Sequence, residues 1–177
     1  FSEAKGPGVV PSVMHLPGVL RAEPLRSVSV RLRHGPRARK LSLTGKPRDM
    51  DLSRVLDLDL RPVSLPATGL VMSERVAEIL DVRRGDIVDV EVLEGKRRVA
   101  QVPVADIIKS YFGLMVFMDF AALAALAGDG PRVSAVHISF DTVQSAALFA
   151  AIKRTPANQP ATFSINLAKP LKADCPS

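Results

Sequence analysis

Between Ser27 and Arg33 apolar and polar residues alternate. Val28, Val30 and Leu32 are interleaved with Ser27, Ser29, Arg31 and Arg33, the two-residue period of a half-buried strand. Leu41 and Leu43 resume the pattern after His34-Gly35-Pro36-Arg37, whose glycine and proline suit a turn, so the segment predicts a β-hairpin. Upstream, Pro11 to Leu16 predicts a short helix that stops before Pro17-Gly18, and Val19-Leu20 leads into the first strand. Downstream the pattern breaks. From Lys46 to Thr68 the chain carries Pro47, Pro62 and Pro66 among Asp and Arg residues, with a faint helical spacing over Leu52 to Leu58; this predicts a connector or a boundary between two lobes.

Regular patterning returns at Gly69. Gly69 to Met72 predicts a short strand and Ser73 an N-cap, ahead of a helix from Glu74 to Leu80 with Val76, Ala77 and Leu80 on one face. Arg83-Arg84-Gly85-Asp86 reads as a tight turn, a stronger reading of Arg84-Gly85-Asp86 than an adhesion tripeptide. Val88, Val90 and Val92 then alternate with Asp89 and Glu91. A Glu94-Gly95-Lys96 turn follows, and Arg98 to Val104 returns with Ala100, Val102 and Val104 on one side. With a strand over Gly113 to Met118, these segments predict a small meander or partial barrel.

Asp119 is the expected N-cap of an Ala/Leu-rich helix closed by Gly128. A strand from Val133 to Phe140 follows, then a helix from Thr142 to Arg154 capped by Asp141 and stopped by Pro156, with Lys153 and Arg154 at the negative end of its dipole. A last strand over Thr162 to Leu167 and a frayed tail from Lys169 to Ser177 complete the pattern. The helix, proline and strand around Pro17 recur in that order around Pro156, which suggests two α/β halves flanking an inserted β-rich body.

A chain of 177 residues, 47% hydrophobic and 24% charged, is long enough to bury its own core. The single Cys175 excludes a disulfide framework. The mean hydropathy of +0.16 raises a membrane reading. Ser110 to Met118, Thr142 to Ile152 and Thr155 to Ala168 are nevertheless shorter or more polar than the roughly 18 apolar residues of a span. No signal peptide is expected at Phe1, and the chain opens mid-pattern, as an excised piece does.

Charge is concentrated. Nine of the basic residues and one acid, Glu23, lie between Arg21 and Arg48, a local +8 within a total of +6, so the remaining chain carries −2. The hairpin's outer face presents Arg31, Arg33 and Lys40, and its tip adds Arg37 and Arg39. These five are the candidate contacts to an anionic surface. No aromatic residue lies between Arg21 and Arg48 to stack a base, which weighs against nucleic acid. A lipid head-group surface needs only charge, a protein contact is equally open, and a solvated strand face whose arginines discourage edge pairing is the plainest reading of the five.

Groups for catalysis are scarce. His15, His34 and His137 have no partner ligand at metal-binding spacing, no nucleophile elbow or phosphate loop is present, and Asp89 and Glu91 read as a solvated strand face. No enzyme activity, cofactor or metal is expected.

Several segments together resemble a known family. Leu16-Pro17-Gly18-Val19 leading to Glu23-Pro24 and the strand from Val28 to Arg33 resembles the start of the extracytoplasmic domain of FtsX-like ABC transporter permeases, the MacB-like periplasmic core. Gly69-Leu70-Val71-Met72-Ser73-Glu74, with Ala77 and Leu80, followed by Val82-Arg83-Arg84-Gly85-Asp86-Ile87-Val88, resembles its most recognisable stretch. Val133-Ser134 and Thr155-Pro156 match its closing portion, and Leu93-Glu94-Gly95 and Phe117-Met118-Asp119 have counterparts in long permeases with more than one such domain.

The resemblance implies an α+β fold of two lobes: an α/β porter-like lobe, 1–45 and 119–168, with a β-rich Sabre-like lobe, 46–118, inserted in it and a tail at 169–177. It implies a non-catalytic domain on the extracytoplasmic side of the cytoplasmic membrane. That domain would couple the permease's own transmembrane helices, expected beyond Phe1 and Ser177, to a substrate or envelope partner, while a separate cytoplasmic ATPase subunit hydrolyses ATP. Export, lipoprotein release and mechanical transmission are the activities of related members. An envelope adaptor or lipoprotein is the partner class, with anionic lipid as a further surface. The alternative from another class is a stand-alone module that binds an anionic ligand or polymer through the hairpin.

Overall fold

Val19–His34 forms one strand, β1, of sixteen residues, about three times the usual length. The computed structural model describes residues 6, 8–95, 97–110 and 113–154. The expected strand over Thr162 to Leu167, the tail, Cys175 and the side chains of Lys153 and Arg154 lie outside the described residues. β1 is long because it serves two sets of partners. Its first half, Val19 to Leu25, pairs antiparallel with β9 (Ala135–Phe140). From Arg26 to His34 it pairs instead with β2 (Arg37–Lys46), closing the expected hairpin, and Val30 to Arg33 also pair with β6 (Ile87–Val92) on the other side.

The sheet then closes on itself. β2 runs parallel to β8 (Val116–Asp119), β8 antiparallel to β5 (Leu70–Ser73), β5 parallel to β7 (Val99–Ile108), β7 antiparallel to β6, and β6 antiparallel to β1. Each of these six strands has two neighbours, so the expected meander or partial barrel is a closed barrel without free edges among them. The sequence signal stopped short of closure because the β2–β8 and β5–β7 pairings are parallel and join segments far apart in the chain.

Alternation decides what fills the barrel. Val28, Val30, Leu32, Leu43, Leu70, Met72, Val88, Val90, Val92, Val102, Val104, Val116 and Met118 form one buried cluster. Helix α2 (Glu74–Leu80) adds Val76, Ala77 and Leu80 to it, and α3 (Phe120–Ala127) adds Leu123. Asp119 caps α3 as expected, accepting from the amides of Ala121 and Ala122, and Gly128 ends it at φ +70°. Gly45 on β2 is the close approach that lets α3 dock, since a Cβ there would lie 2.8 Å from Leu123 Cδ2 and 3.2 Å from Leu123 Cβ.

The expected helix over Leu52 to Leu58 is not formed. Two short strands, β3 (Val55–Leu56) and β4 (Pro62–Val63), pair antiparallel. The Asp57 carboxylate accepts from the amides of Asp59 and Arg61 and builds the turn between them, a local bond that competes with helix. The 47–66 segment lies on the outer wall of the barrel, where Met50, Val55 and Leu65 pack with Val71, Ile108 and Phe117. β5 and β8 are therefore buried on both faces, which explains why Leu-Val-Met and Val-Phe-Met are unbroken apolar runs.

Ser73 stands at the N-cap position of α2 with extended backbone, but its hydroxyl does not cap the helix. It donates to the Gly113 carbonyl at 2.7 Å and accepts from the Met115 amide at 3.3 Å, tying α2 to the approach of β8. The Arg83–Asp86 turn is bonded to β7: the Gly85 amide donates to Val104 O and the Val104 amide to Asp86 O, both at 2.8 Å. α1 (Val9–Met14) precedes β1, and beyond β9 a 3-10 turn, Thr142–Gln144, capped by Asp141, leads into α4 (Ser145–Arg154). Phe149 of α4 meets Phe140 of β9 edge to face at 6.4 Å.

Gly45→Ala is expected to destabilise the fold by about 1–3 kcal/mol through overpacking. The double variant Gly45→Ala/Leu123→Ala is expected to lose less than the sum of the singles in urea unfolding, because truncating Leu123 makes room for the new Cβ; strict additivity contradicts the contact.

Candidate functional site

The period-two pattern that buries Val28, Val30 and Leu32 puts Arg26 in phase with them, on the inward face. Its side chain is only 3% exposed. A buried guanidinium needs a partner, and Arg26 has one from 103 residues away: Nη2 donates to both carboxylate oxygens of Asp129, at 2.7 and 2.8 Å, and Nη1 to the Gly130 carbonyl at 2.9 Å. Its Nε is a buried donor without a partner among the described residues. Ser134 holds the same loop one residue further along. Its hydroxyl accepts from the Ser27 amide and donates to Ser27 O, and its amide donates to Leu25 O. Arg26 is the residue at which β1 leaves β9 for β2, so this clamp fixes the change of partner.

Three residues earlier on β1, Glu23 is 5% exposed. Its carboxylate accepts from the Asp51 amide at 2.7 Å and the Leu52 amide at 3.1 Å and pairs with Arg21 Nε at 3.2 Å. Arg21 in turn donates to the Asp51 carboxylate at 2.7 Å. The opposite charge grips the same loop: Lys46 Nζ donates to Ser53 O at 2.7 Å and lies 5.2 Å from the centre of the Phe117 ring. Burial lowers the Lys46 pKa, and the Glu23 carboxylate offsets part of that. His137 faces Glu23 across the β1–β9 ladder. Its pKa is lowered by partial burial and by the Lys46 charge, against the opposing effect of Glu23.

Sequence reasoning missed both clamps. Glu23 enters the sequence reading as the one acid in a basic segment and as part of the Glu23-Pro24 motif, never as a buried anchor, and the phase of Arg26 with Val28, Val30 and Leu32 is the signal that could have found the other clamp.

The five cations of the hairpin are divided between two settings. Arg31 and Lys40 are register partners on the outer face, but Arg31 Nη1 is bonded to Glu91 of β6 at 2.8 Å. Arg33 lies opposite Asp89. The acidic strand β6 is thus paired with the basic strand β1, and the carboxylates read as solvated balance part of the local charge. Arg37 turns to α2 instead, donating to Glu78 O at 3.3 Å and lying 3.5 Å from Asp81, close to where His34 Nδ1 sits 3.2 Å from Leu80 O. Arg39 shares the face of Leu32, its register partner. Arg33, Arg39 and Lys40 carry no ion pair among the described residues.

Among the described residues no group of three or more His, Cys, Asp or Glu could hold a metal ion, and no helix is long and apolar enough to cross a membrane. What the geometry builds is a junction in which one strand is anchored by two buried charges to two loops.

Similarity to solved structures decides the fold. The extracellular domain of the noncanonic ABC-type transporter YknZ from Gram-positive bacteria matches with a TM-score of 0.61 at 17% identity, over 82% of this chain and 78% of that one. This is the fold of a MacB-like extracytoplasmic domain. The periplasmic region of MacB from Actinobacillus actinomycetemcomitans matches with a TM-score of 0.53 at 14% identity, over 82% of this chain and 72% of that one. No family model matches the sequence, and no curated protein does. The MacB-like fold carries the β-rich, mixed α/β character expected from the sequence, and the stretch Gly69 to Val88 that carried the resemblance forms β5, α2 and the turn into β6.

Asp129→Ala is expected to cost about 3–5 kcal/mol, because it leaves the Arg26 guanidinium buried and unpaired. Arg26→Met is expected to cost clearly less, since Asp129 is a third exposed and keeps Arg132 nearby. Chemical denaturation of both variants reads the asymmetry, and equal losses contradict it. For Lys46, the folded state releases its proton at lower pH than the unfolded chain. The unfolded state therefore binds more protons across the window from the lowered folded value up to 10.5, and stability rises with pH there. Lys46→Met is expected to flatten that rise in urea midpoints followed through the alkaline range; an unchanged slope contradicts the assignment.

Proposed function

We propose that this chain is the non-catalytic extracytoplasmic domain of an ABC transporter permease, standing outside the cytoplasmic membrane between transmembrane helices of the same polypeptide. A separate cytoplasmic ATPase supplies the energy, and the domain carries motion from the helices to a substrate or an envelope partner. The observation that supports this most is the likeness over 82% of the chain to two transporter domains outside the membrane, one extracellular and one periplasmic.

The pairing of β1 supports the two-lobe division expected from the sequence and suggests how the lobes are joined. The first half of β1, with β9, α1 and α4, is the porter-like body, and the barrel with its 47–66 cover is the Sabre-like body. The division then runs through β1 at Leu25 and Arg26 and assigns the hairpin beyond it to the barrel, whereas the sequence expectation divides the chain at 45 and 46. Motion of hinge or shear type passes between the bodies along a strand that belongs to both. Arg33, Arg39 and Lys40 are the cations available to an anionic head-group surface.

Labelling in intact cells tests the proposal. In the full-length polypeptide with Cys175→Ser, a single Val143→Cys, at a position 86% exposed, is expected to react with a membrane-impermeant maleimide without lysis. Reaction only after lysis overturns the extracytoplasmic assignment.

A further inference from the structure

Three clefts border the 47–66 segment, and their charges distinguish them. The first, about 240 Å³, is lined by Arg48, Asp49, Asp51 and Arg54, cations and carboxylates together, with Arg54 and Arg21 both paired to Asp51. The second, about 440 Å³, lies at Arg48 and Asp119, which pair at 3.4 Å. In both, carboxylates line the cleft beside the cations. The third, about 170 Å³, lies between β3 and the wall made by β7 and β8, and no carboxylate among the described residues lines it. Its floor is apolar, from Val55, Ile108, Met115 and Phe117, and its charged groups are Lys46 and Arg54.

The Lys46 ammonium has three donors, of which Ser53 O takes one. Phe117 contributes only the face of its ring, 5.2 Å away. The ammonium has lost hydration and the Glu23 carboxylate offsets only part of that loss, so an anion entering the cleft restores an interaction that folding removed. Arg54 reaches the same cleft with guanidinium donors beyond the one bonded to Asp51. An apolar pocket with a few convergent polar groups of one sign is the usual form of a small-molecule site.

We propose that this cleft binds a small carboxylate with an apolar tail, its carboxylate on Lys46 Nζ and Arg54 and its tail along Ile108, Met115 and Phe117. A dry cavity of about 150 Å³ takes benzene, so the size fits a tail of about six carbons. The site stands independently of the transporter reading, because it is built entirely from the chain's own residues.

Titration calorimetry of the 177-residue chain with hexanoate, 1-hexanol and hexylammonium tests it. Saturable hexanoate binding is expected. Hexanol is expected to bind about tenfold more weakly or worse, the scale of one charge-assisted hydrogen bond, and hexylammonium not at all. Lys46→Met is expected to remove the preference for hexanoate over hexanol. Leu56→Trp, at an exposed position on the cleft rim, is expected to block both ligands while circular dichroism and thermal unfolding stay unchanged. This second variant carries the test if Lys46→Met fails to fold. Absent hexanoate binding, equal affinity for hexanol, or full hexanoate binding by a folded Leu56→Trp overturns the proposal.

Discussion

A buried positive charge sits where β1 exchanges one partner for another, and the arrangement of the chain around it follows from that charge. Taking a guanidinium out of water costs several kcal/mol unless its donors are met. Arg26 can be buried in phase with Val28 and Val30 only because Asp129 and Gly130 come to it, which fixes the loop after α3. That loop leads directly into β9, so its position sets β9 against the first half of β1. Glu23 imposes the same requirement in the opposite sign, and the backbone amides of Asp51 and Leu52 meet it. Two buried charges three residues apart thereby hold β1 against two segments that both follow it in the sequence, one shortly after the hairpin and one after α3.

The barrel is the stiff element in this scheme. Six strands with two neighbours each leave no edge to fray, and the interior is filled by interlocking aliphatic side chains with α2 and α3 packed in. The β1–β9 ladder is narrower, with α1 and α4 beside it. Under the proposed function, a displacement that begins at the ladder reaches the barrel through a strand common to both, and the Arg26 clamp is the place where it would slip or hold. Under that proposal the junction has a physical task, the transfer of motion from one body to the other.

Local signals were legible wherever one residue type solves one problem. The alternation of Val28, Val30 and Leu32, the Asp119 cap, the Gly128 stop and the Gly85 turn each carry their cause within a few residues. What depended on distant partners was not legible. Nothing near Leu43 indicates that it will run beside Val116, so closure of the barrel was invisible and only a partial barrel was expected. The +8 of the basic segment was counted along the chain, whereas the fold sets Glu91 and Asp89 of β6 beside Arg31 and Arg33. Leucine spacing over Leu52 to Leu58 imitated a helix, yet the buried residues of that neighbourhood are Met50, Val55 and Leu65, while Leu52, Leu56 and Leu60 face outward. The stretch Gly69 to Val88 was legible for a different reason: its strand, helix and turn are consecutive, so a family resemblance survives in short motifs.

Amide hydrogen exchange along β1 tests most directly whether the strand joins its two settings as one unit. The account predicts that the cross-strand-bonded amides of Val19 to Leu25, facing β9, and of Arg26 to His34, within the barrel, open with similar free energies in the native chain. Ladder amides that exchange through a much cheaper opening, while the barrel half stays protected, would contradict it, because the strand would then be two elements joined at Arg26 and no path for transmitted motion.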